Sequence, residues 1–136
     1  MSVLPEDRRH WGPRADLTLA ENLALATIAD GGLRRRRLLD RRLMESEAAE
    51  LLTTYGVRPP DPAARASSLS GGNQQKVVIA REMSRDPRLL VAAQPTRGLD
   101  VGAIDYVHRR LLEMRGRGAG ILLVTNELEE LLALSD

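Results

Sequence analysis

Apolar positions along the chain change their period partway. Over residues 16–29, Leu17, Leu19, Leu23, Leu25 and Ile28 fit a helix, with Asp16 or Thr18 as its N-cap. Gly31-Gly32 breaks it. Residues 40–55 read as a second helix through Leu43, Ala48, Leu51 and Leu52, with Gly56 at its stop. Pro59, Pro60 and Pro62 then exclude regular structure over 57–66 and predict a stiff loop. Ser70 caps a third predicted helix, which runs to about Arg85 on Val77, Val78, Ala80 and Met83 and ends at Asp86-Pro87.

Beyond this point short apolar runs appear. Residues 89–93, bounded by Pro87 and Pro95, suit a buried strand, and so do 121–125. Between them 102–115 is helical in pattern through Ile104, Val107, Leu111 and Leu112, and 127–134 begins another helix. The chain thus reads as helical for its first 85 residues or so, then β-α-β-α. Strand, helix, strand at these lengths implies a parallel pair joined by a right-handed crossover. Two strands do not make a stable doubly wound sheet, so the α/β part is expected to be truncated, with both strands exposing edges.

Composition narrows the class. The 136 residues are 43% hydrophobic and 29% charged, with 2% aromatics and no Phe, so an aliphatic core of helices on a small sheet is expected. A net charge of +1 gives no global field toward nucleic acid or an acidic membrane surface. The absence of cysteine excludes disulfides and thiolate metal sites. No apolar run approaches the roughly 20 residues of a membrane span, and the first ten residues are charged where a signal peptide is apolar. A soluble, cytosolic chain is expected, reaching a membrane only through a partner.

The most informative stretch is Leu69-Ser70-Gly71-Gly72-Asn73-Gln74-Gln75-Lys76. A Ser cap and two glycines at a helix start present backbone N–H groups and the positive end of the dipole, and the missing Cβ atoms allow close approach of an oxygen-rich anion. A bare Ser-Gly-Gly is more often only a capped helix. The eight residues together, however, resemble the signature motif of ABC-transporter ATP-binding domains, in the form found in sugar and nucleoside importers. The stretch from Leu89-Leu90-Val91-Ala92-Ala93 through Gln94-Pro95-Thr96-Arg97-Gly98-Leu99-Asp100 resembles that family's Walker B strand and D-loop. Leu4-Pro5-Glu6-Asp7-Arg8 and Thr18-Leu19-Ala20-Glu21-Asn22-Leu23 resemble its Q-loop region and the helix entry beyond.

The resemblance implies an α/β, ABC-type P-loop NTPase fragment: a helical signature subdomain over about 16–86 and part of a RecA-like parallel core over about 87–136. It implies the later portion of the second of two fused ATP-binding domains. No G-x-x-x-x-G-K-[ST] loop surrounds Lys76, the only lysine, so a fragment of a longer parent is expected. The family's Walker B strand ends in Asp-Glu, which organise Mg²⁺ and polarise the attacking water. Here Ala93 and Gln94 stand in those places, Asn126 stands at the switch histidine, and Glu6 falls about where the Q-loop glutamine sits. No catalytic residue and no metal ligand is therefore expected in this chain.

Residues offered to an opposite nucleotide match the family better than those a domain uses on its own. The resemblance thus implies a donor in trans, in which Ser70, Gly71, Gly72, Gln74 and Asp100 meet ATP whose Mg²⁺ is held by a partner domain. Implied partners are another ABC ATP-binding domain of the same polypeptide and transmembrane permease subunits, at the cytoplasmic face of the membrane, with no nucleic acid. The alternative is an inert fragment with no independent ATP binding. The Arg34 to Arg37 run, with Arg41 and Arg42, reads as a solvated helix face, with contact to a transmembrane partner or headgroups as the alternative. Trp11 reads as half-buried, and His10 and His108 as isolated from other ligand types.

Overall fold

The computed structural model describes residues 1–6, 12–29, 34–35 and 38–135. The expectations for Gly31-Gly32, Asp7, Arg8, His10, Trp11, Arg36 and Arg37 lie outside the described residues. The elements run β1 Ser2–Leu4, α1 Leu19–Ala29, β2 Arg34–Arg35, β3 Leu38–Leu39, α2 Arg41–Thr54, α3 Gly71–Met83, β4 Leu89–Ala93, α4 Val101–Gly116, β5 Gly120–Val124 and α5 Leu128–Leu134, with a 3₁₀ turn at Ala66–Ser68.

Local chemistry sets most of these boundaries. Thr18, rather than Asp16, opens α1: its Oγ1 accepts from Glu21 N at 3.2 Å, and the Glu21 carboxylate accepts from Thr18 N at 2.8 Å, a reciprocal capping box. Asn22, buried in the first turn, accepts from Arg14 N and donates to the Arg14 and Thr18 carbonyls, fastening the preceding loop. Asp40 caps α2 by accepting from Leu43 N at 3.1 Å. That helix ends on Gly56 at φ +64°, with Gly56 N donating to Thr53 O and Val57 N to Leu52 O. This is the paired bond pattern of a Schellman stop, and the Leu52 and Val57 side chains lie in one apolar cluster as that motif favours.

Two expectations are corrected. The first 85 residues are not wholly helical, because β1 lies in the sheet and β2 pairs antiparallel with β3. The basic run is not a continuous helix face: Arg34–Arg35 is a strand, and the helix begins only at Arg41. Adjacent leucines at 38 and 39 supply no 3.6-residue spacing to carry a helix backwards past the Asp40 cap.

The sheet has three parallel strands in the order β1-β4-β5. β4 is central, so only β1 and β5 present edges, and the expected two-stranded pair gains a third member from the extreme start of the chain. Register places Leu4 beside Ala92 and Ala92 beside Leu123, on the face packed against the helices. The opposite face carries Val3, Val91, Leu122 and Val124; Leu122 is 56% and Val124 50% exposed. Among the described residues nothing covers it.

Two apolar clusters meet along α3. Val77 and Ala80 pack with Leu19, Leu23, Met44 and Leu52 on the helical side, while Val78, Ile79 and Met83 pack with Leu4, Leu90, Val107 and Leu111 on the sheet side. A polar seam ties the same layers together. Carbonyls at and just past the end of α2, where a helix leaves them without a helical partner, are taken by side chains of other helices: Thr54 O by Arg110 Nη2 at 2.7 Å, the cap Tyr55 O by the Tyr106 hydroxyl at 2.7 Å and Gly56 O, one residue beyond, by Lys76 Nζ at 3.0 Å. Arg110 also stacks 4.8 Å from the Tyr55 ring centroid.

Tyr106→Phe removes the donor to Tyr55 O and is expected to cost about 1–2 kcal/mol, read as a lower urea midpoint. Burial raises the Tyr106 hydroxyl pKa above its ordinary value. The folded chain therefore keeps a proton that the unfolded chain releases near pH ~10. Stability is full below that pH and falls as pH rises through the folded value. The Phe variant is expected to show a shallower alkaline loss.

Candidate functional site

The start of α3 is built by its own first residues. Ser70, extended at φ −62° and ψ 158°, accepts through Oγ from Asn73 N at 3.4 Å and from Asn73 Nδ2 at 3.2 Å. Asn73 Oδ1 in turn accepts from Arg58 N at 3.0 Å, which fixes the loop beside the cap. Gln74 Nε2 is turned back onto the Leu69 carbonyl at 3.1 Å. Ser70 and Gly71 stand exposed, while Gly72 is half-buried.

Gly72 and Asp100 meet. A Cβ on Gly72 would lie 3.3 Å from the Ala103 Cβ and 3.6 Å from Asp100 Oδ2. Asp100 caps α4 by accepting from Ala103 N at 3.0 Å. Two helix N-termini thus lie side by side, with the Asp100 carboxylate between them on the Gly72 side. That carboxylate takes the favourable end-of-helix position for a negative charge. The Ser70–Gly71 side of the α3 start faces solvent.

The other predicted residues gather at the C-terminal ends of the parallel strands, the end at which open α/β sheets bind ligands. Ala93 closes β4, half-buried beside Val124. Gln94 follows at φ +47°, a left-handed conformation that a non-glycine residue adopts at a cost of about 1–2 kcal/mol. Its N–H donates to Val124 O at 2.7 Å. Asn126 is exposed just past β5, and Glu6, just past β1, forms an ion pair with Arg97. Alanine offers no metal ligand, and a carboxamide accepts no proton at neutral pH. This end can orient groups by hydrogen bonding but supplies no general base at Ala93 or Gln94.

Sequence reasoning missed the groups behind this surface. His108 is not isolated: its Nε2 lies 3.1 Å from Glu130 Oε1, which also accepts from the Thr96 hydroxyl at 2.9 Å. Gln75, buried, donates Nε2 to Pro95 O at 2.8 Å. The partners are 20 to 34 residues apart in the chain, and no local pattern announces them.

A parallel α/β sheet carries two capped helix starts side by side, Ser70 at α3 and Asp100 at α4. Residues 1–97 match the model of the ABC transporter family. The chain belongs to that family. It is 47% identical over 133 residues to the nucleoside import ATP-binding protein NupA of Lactococcus lactis subsp. cremoris, covering 98% of this chain and 26% of that protein. The same identity and coverage hold for the guanosine import ATP-binding protein NupO of Bacillus subtilis. The ribose import ATP-binding protein RbsA 2 of Rhizobium meliloti is 42% identical over 133 residues, again 98% and 26%. The chain spans about a quarter of the length of these relatives.

Among solved structures, an ATP-binding subunit of an ABC transporter superposes with a TM-score of 0.69 at 29% identity, over 98% of this chain and 51% of that one. The dimeric bacterial ABC transporter cassette MJ0796 gives a TM-score of 0.75 at 23% identity, over 98% and 55%, a likeness of fold. No described helix is long and apolar enough to cross a membrane.

Proposed function

We propose that this chain is part of the ATP-binding component of an importer for simple sugars or nucleosides, and that it presents the start of α3 to ATP held by an opposing ATP-binding domain. One observation carries the reading. Ser70 and Gly71 stand exposed at a capped helix start, whereas the strand ends that would serve a nucleotide of the chain's own offer Ala93 and Gln94. Ser70 and Gly71 would receive phosphate oxygens, with Gly72 allowing α3 and the Asp100 end of α4 to approach and Gln74 holding the segment before the cap. ATP supplies the phosphoryl bond whose cleavage drives transport, with Mg²⁺ held by the opposing domain. The ranges 16–86 and 87–136 would be its helical signature part and its partial RecA-like core.

The names of the relatives support the substrate class: nucleoside, guanosine and ribose import. The dimeric state of one structural neighbour, and its form bound to ADP and Pi, support pairing with a second cassette around nucleotide. Permease subunits would be the membrane partners, with this chain peripheral at the cytoplasmic face.

The test is a segment swap. This chain replaces the matching 133 residues of the Lactococcus lactis nucleoside-import relative, and ATP-dependent nucleoside uptake is measured in cells relying on the chimera. Uptake within about tenfold of the parent is expected, while the chain alone is expected to release phosphate from ATP at background rate, having no general base at Gln94. A chimera that accumulates and binds ATP but imports nothing overturns the reading, as does Mg²⁺-dependent turnover by the chain alone.

A further inference from the structure

Behind the exposed surface, three helices converge on the Pro95-Thr96 turn. From α3, Gln75, 2% exposed, donates Nε2 to Pro95 O at 2.8 Å. From α5, Glu130, 3% exposed, accepts through Oε1 from the Thr96 hydroxyl at 2.9 Å. From α4, His108 Nε2 reaches the same oxygen at 3.1 Å. The remaining oxygens, Gln75 Oε1 and Glu130 Oε2, are buried with no hydrogen-bond partner among the described residues.

Stability alone does not account for this arrangement. A buried carboxylate with one unmatched oxygen is costly, and an apolar residue of similar volume is often neutral or better. What these contacts do provide is a fixed geometry for the turn. Gln94 is held left-handed at φ +47°, Arg97 N returns to Gln94 O at 3.2 Å and Leu99 N to Thr96 O at 3.1 Å. The chain then enters Asp100, whose Oδ2 lies 3.6 Å from where a Cβ on Gly72 would stand, at the start of α3. Glu130 itself sits in the first turn of the helix that follows Asn126, and Glu127 N is held by Thr125 Oγ1 at 3.0 Å.

We infer that Glu130 is a positioning residue, which through the Thr96 hydroxyl holds the 94–100 turn and the adjoining α3 start in register with the Asn126 segment. A shift of residues 125–127 moves Glu130, and Glu130 moves the turn that ends on Asp100. The functional consequence of this linkage rests on the proposed phosphate-facing role of α3, but the linkage itself is tested without nucleotide.

The measurement is amide hydrogen exchange in the whole chain at fixed pH. In Thr96→Val, which keeps the shape and loses only the hydroxyl, Leu99 and Ala103 amides are expected to exchange about tenfold faster or more, while Ala48 and Leu52 amides of α2 stay unchanged. Glu130→Ala is expected to do the same. Glu130→Gln retains an oxygen to accept from Thr96 and is expected to restore the wild-type rates, and Glu129→Ala, on the exposed neighbour, to leave them alone. Equal acceleration in α2 and in the turn would mean that the cluster only stabilises the fold, and unchanged Leu99 exchange in Thr96→Val would sink the linkage outright. If Glu130→Ala does not fold, Thr96→Val decides. Failure of the phosphate-facing role would appear separately, as full ATP turnover in the nucleoside-import chimera carrying Gly71→Asp.

Discussion

Gly71→Asp, placed in the nucleoside-import chimera, is expected to lower ATP turnover by about 100- to 1000-fold, the range that loss of an oriented donor at a transition-state charge costs. Gly71 is the first residue of α3 and is exposed beside the Ser70 cap. A second carboxylate there would join Asp100, whose own carboxylate already lies on the Gly72 side. Two negative charges would then flank the proposed phosphate-facing surface, and the helix end would favour the new side chain over the ligand. Ser70→Arg should act comparably by bulk. Gln94→Ala is the control: a carboxamide supplies no general base, so its removal is expected to change turnover by less than about tenfold. Phosphate release from the three purified chimeras decides. Equal losses, or a larger one in Gln94→Ala, would show that the strand end rather than the α3 start carries the chemistry.

The backbone placement of these positions was legible in the sequence because both stand on strongly punctuated backbone. Pro87 and Pro95 bracket β4, and Ser70 is an N-cap whose type can be read without a fold, with α3 beginning at the next residue. The Asp100 cap was not read: the pattern placed the start of α4 at 102, and the helix begins at Val101. Gly56 likewise marked the end of α2 through its left-handed φ of +64°. What escaped was non-local. Three residues, Ser2–Leu4, are too few to show a period, and they become a strand only because Leu90 to Ala92 accept them in register. The two-residue strands β2 and β3 are defined only by each other. Thr96, His108 and Glu130 fall on separate elements, and a glutamate in the sequence Leu-Glu-Glu-Leu-Leu reads as a solvated residue until the turn after β4 folds back onto it. The exposed face of the sheet was equally unreadable: alternating burial in β5, with Ile121 and Leu123 inward and Leu122 and Val124 outward, is hidden inside a run that is apolar on both faces.

Ile79→Ala is expected to be the most destabilising single truncation in the described core, at about 2–5 kcal/mol. Ile79 is fully buried on α3 and packs in the sheet-side cluster with Leu4, Leu90 and Val107, while Val77 and Ala80 of the same helix pack in the helical-side cluster. A cavity at Ile79 therefore loosens the sheet from α3, which gives buried residues to both clusters. The first strand has little else to hold it, because β1 contributes only Leu4 to the packed core and pairs along three residues. Small domains hold about 5–15 kcal/mol in total, so a loss of this size removes a large share of the stability. In urea the unfolding midpoint should fall by about 1 M or more. Leu25→Ala serves as the comparison, since Leu25 is 42% exposed on α1 and should cost about 0.5 kcal/mol or less. If the two variants unfold at the same urea concentration, α3 does not join the two clusters energetically, and the helical part and the sheet are stabilised independently of it.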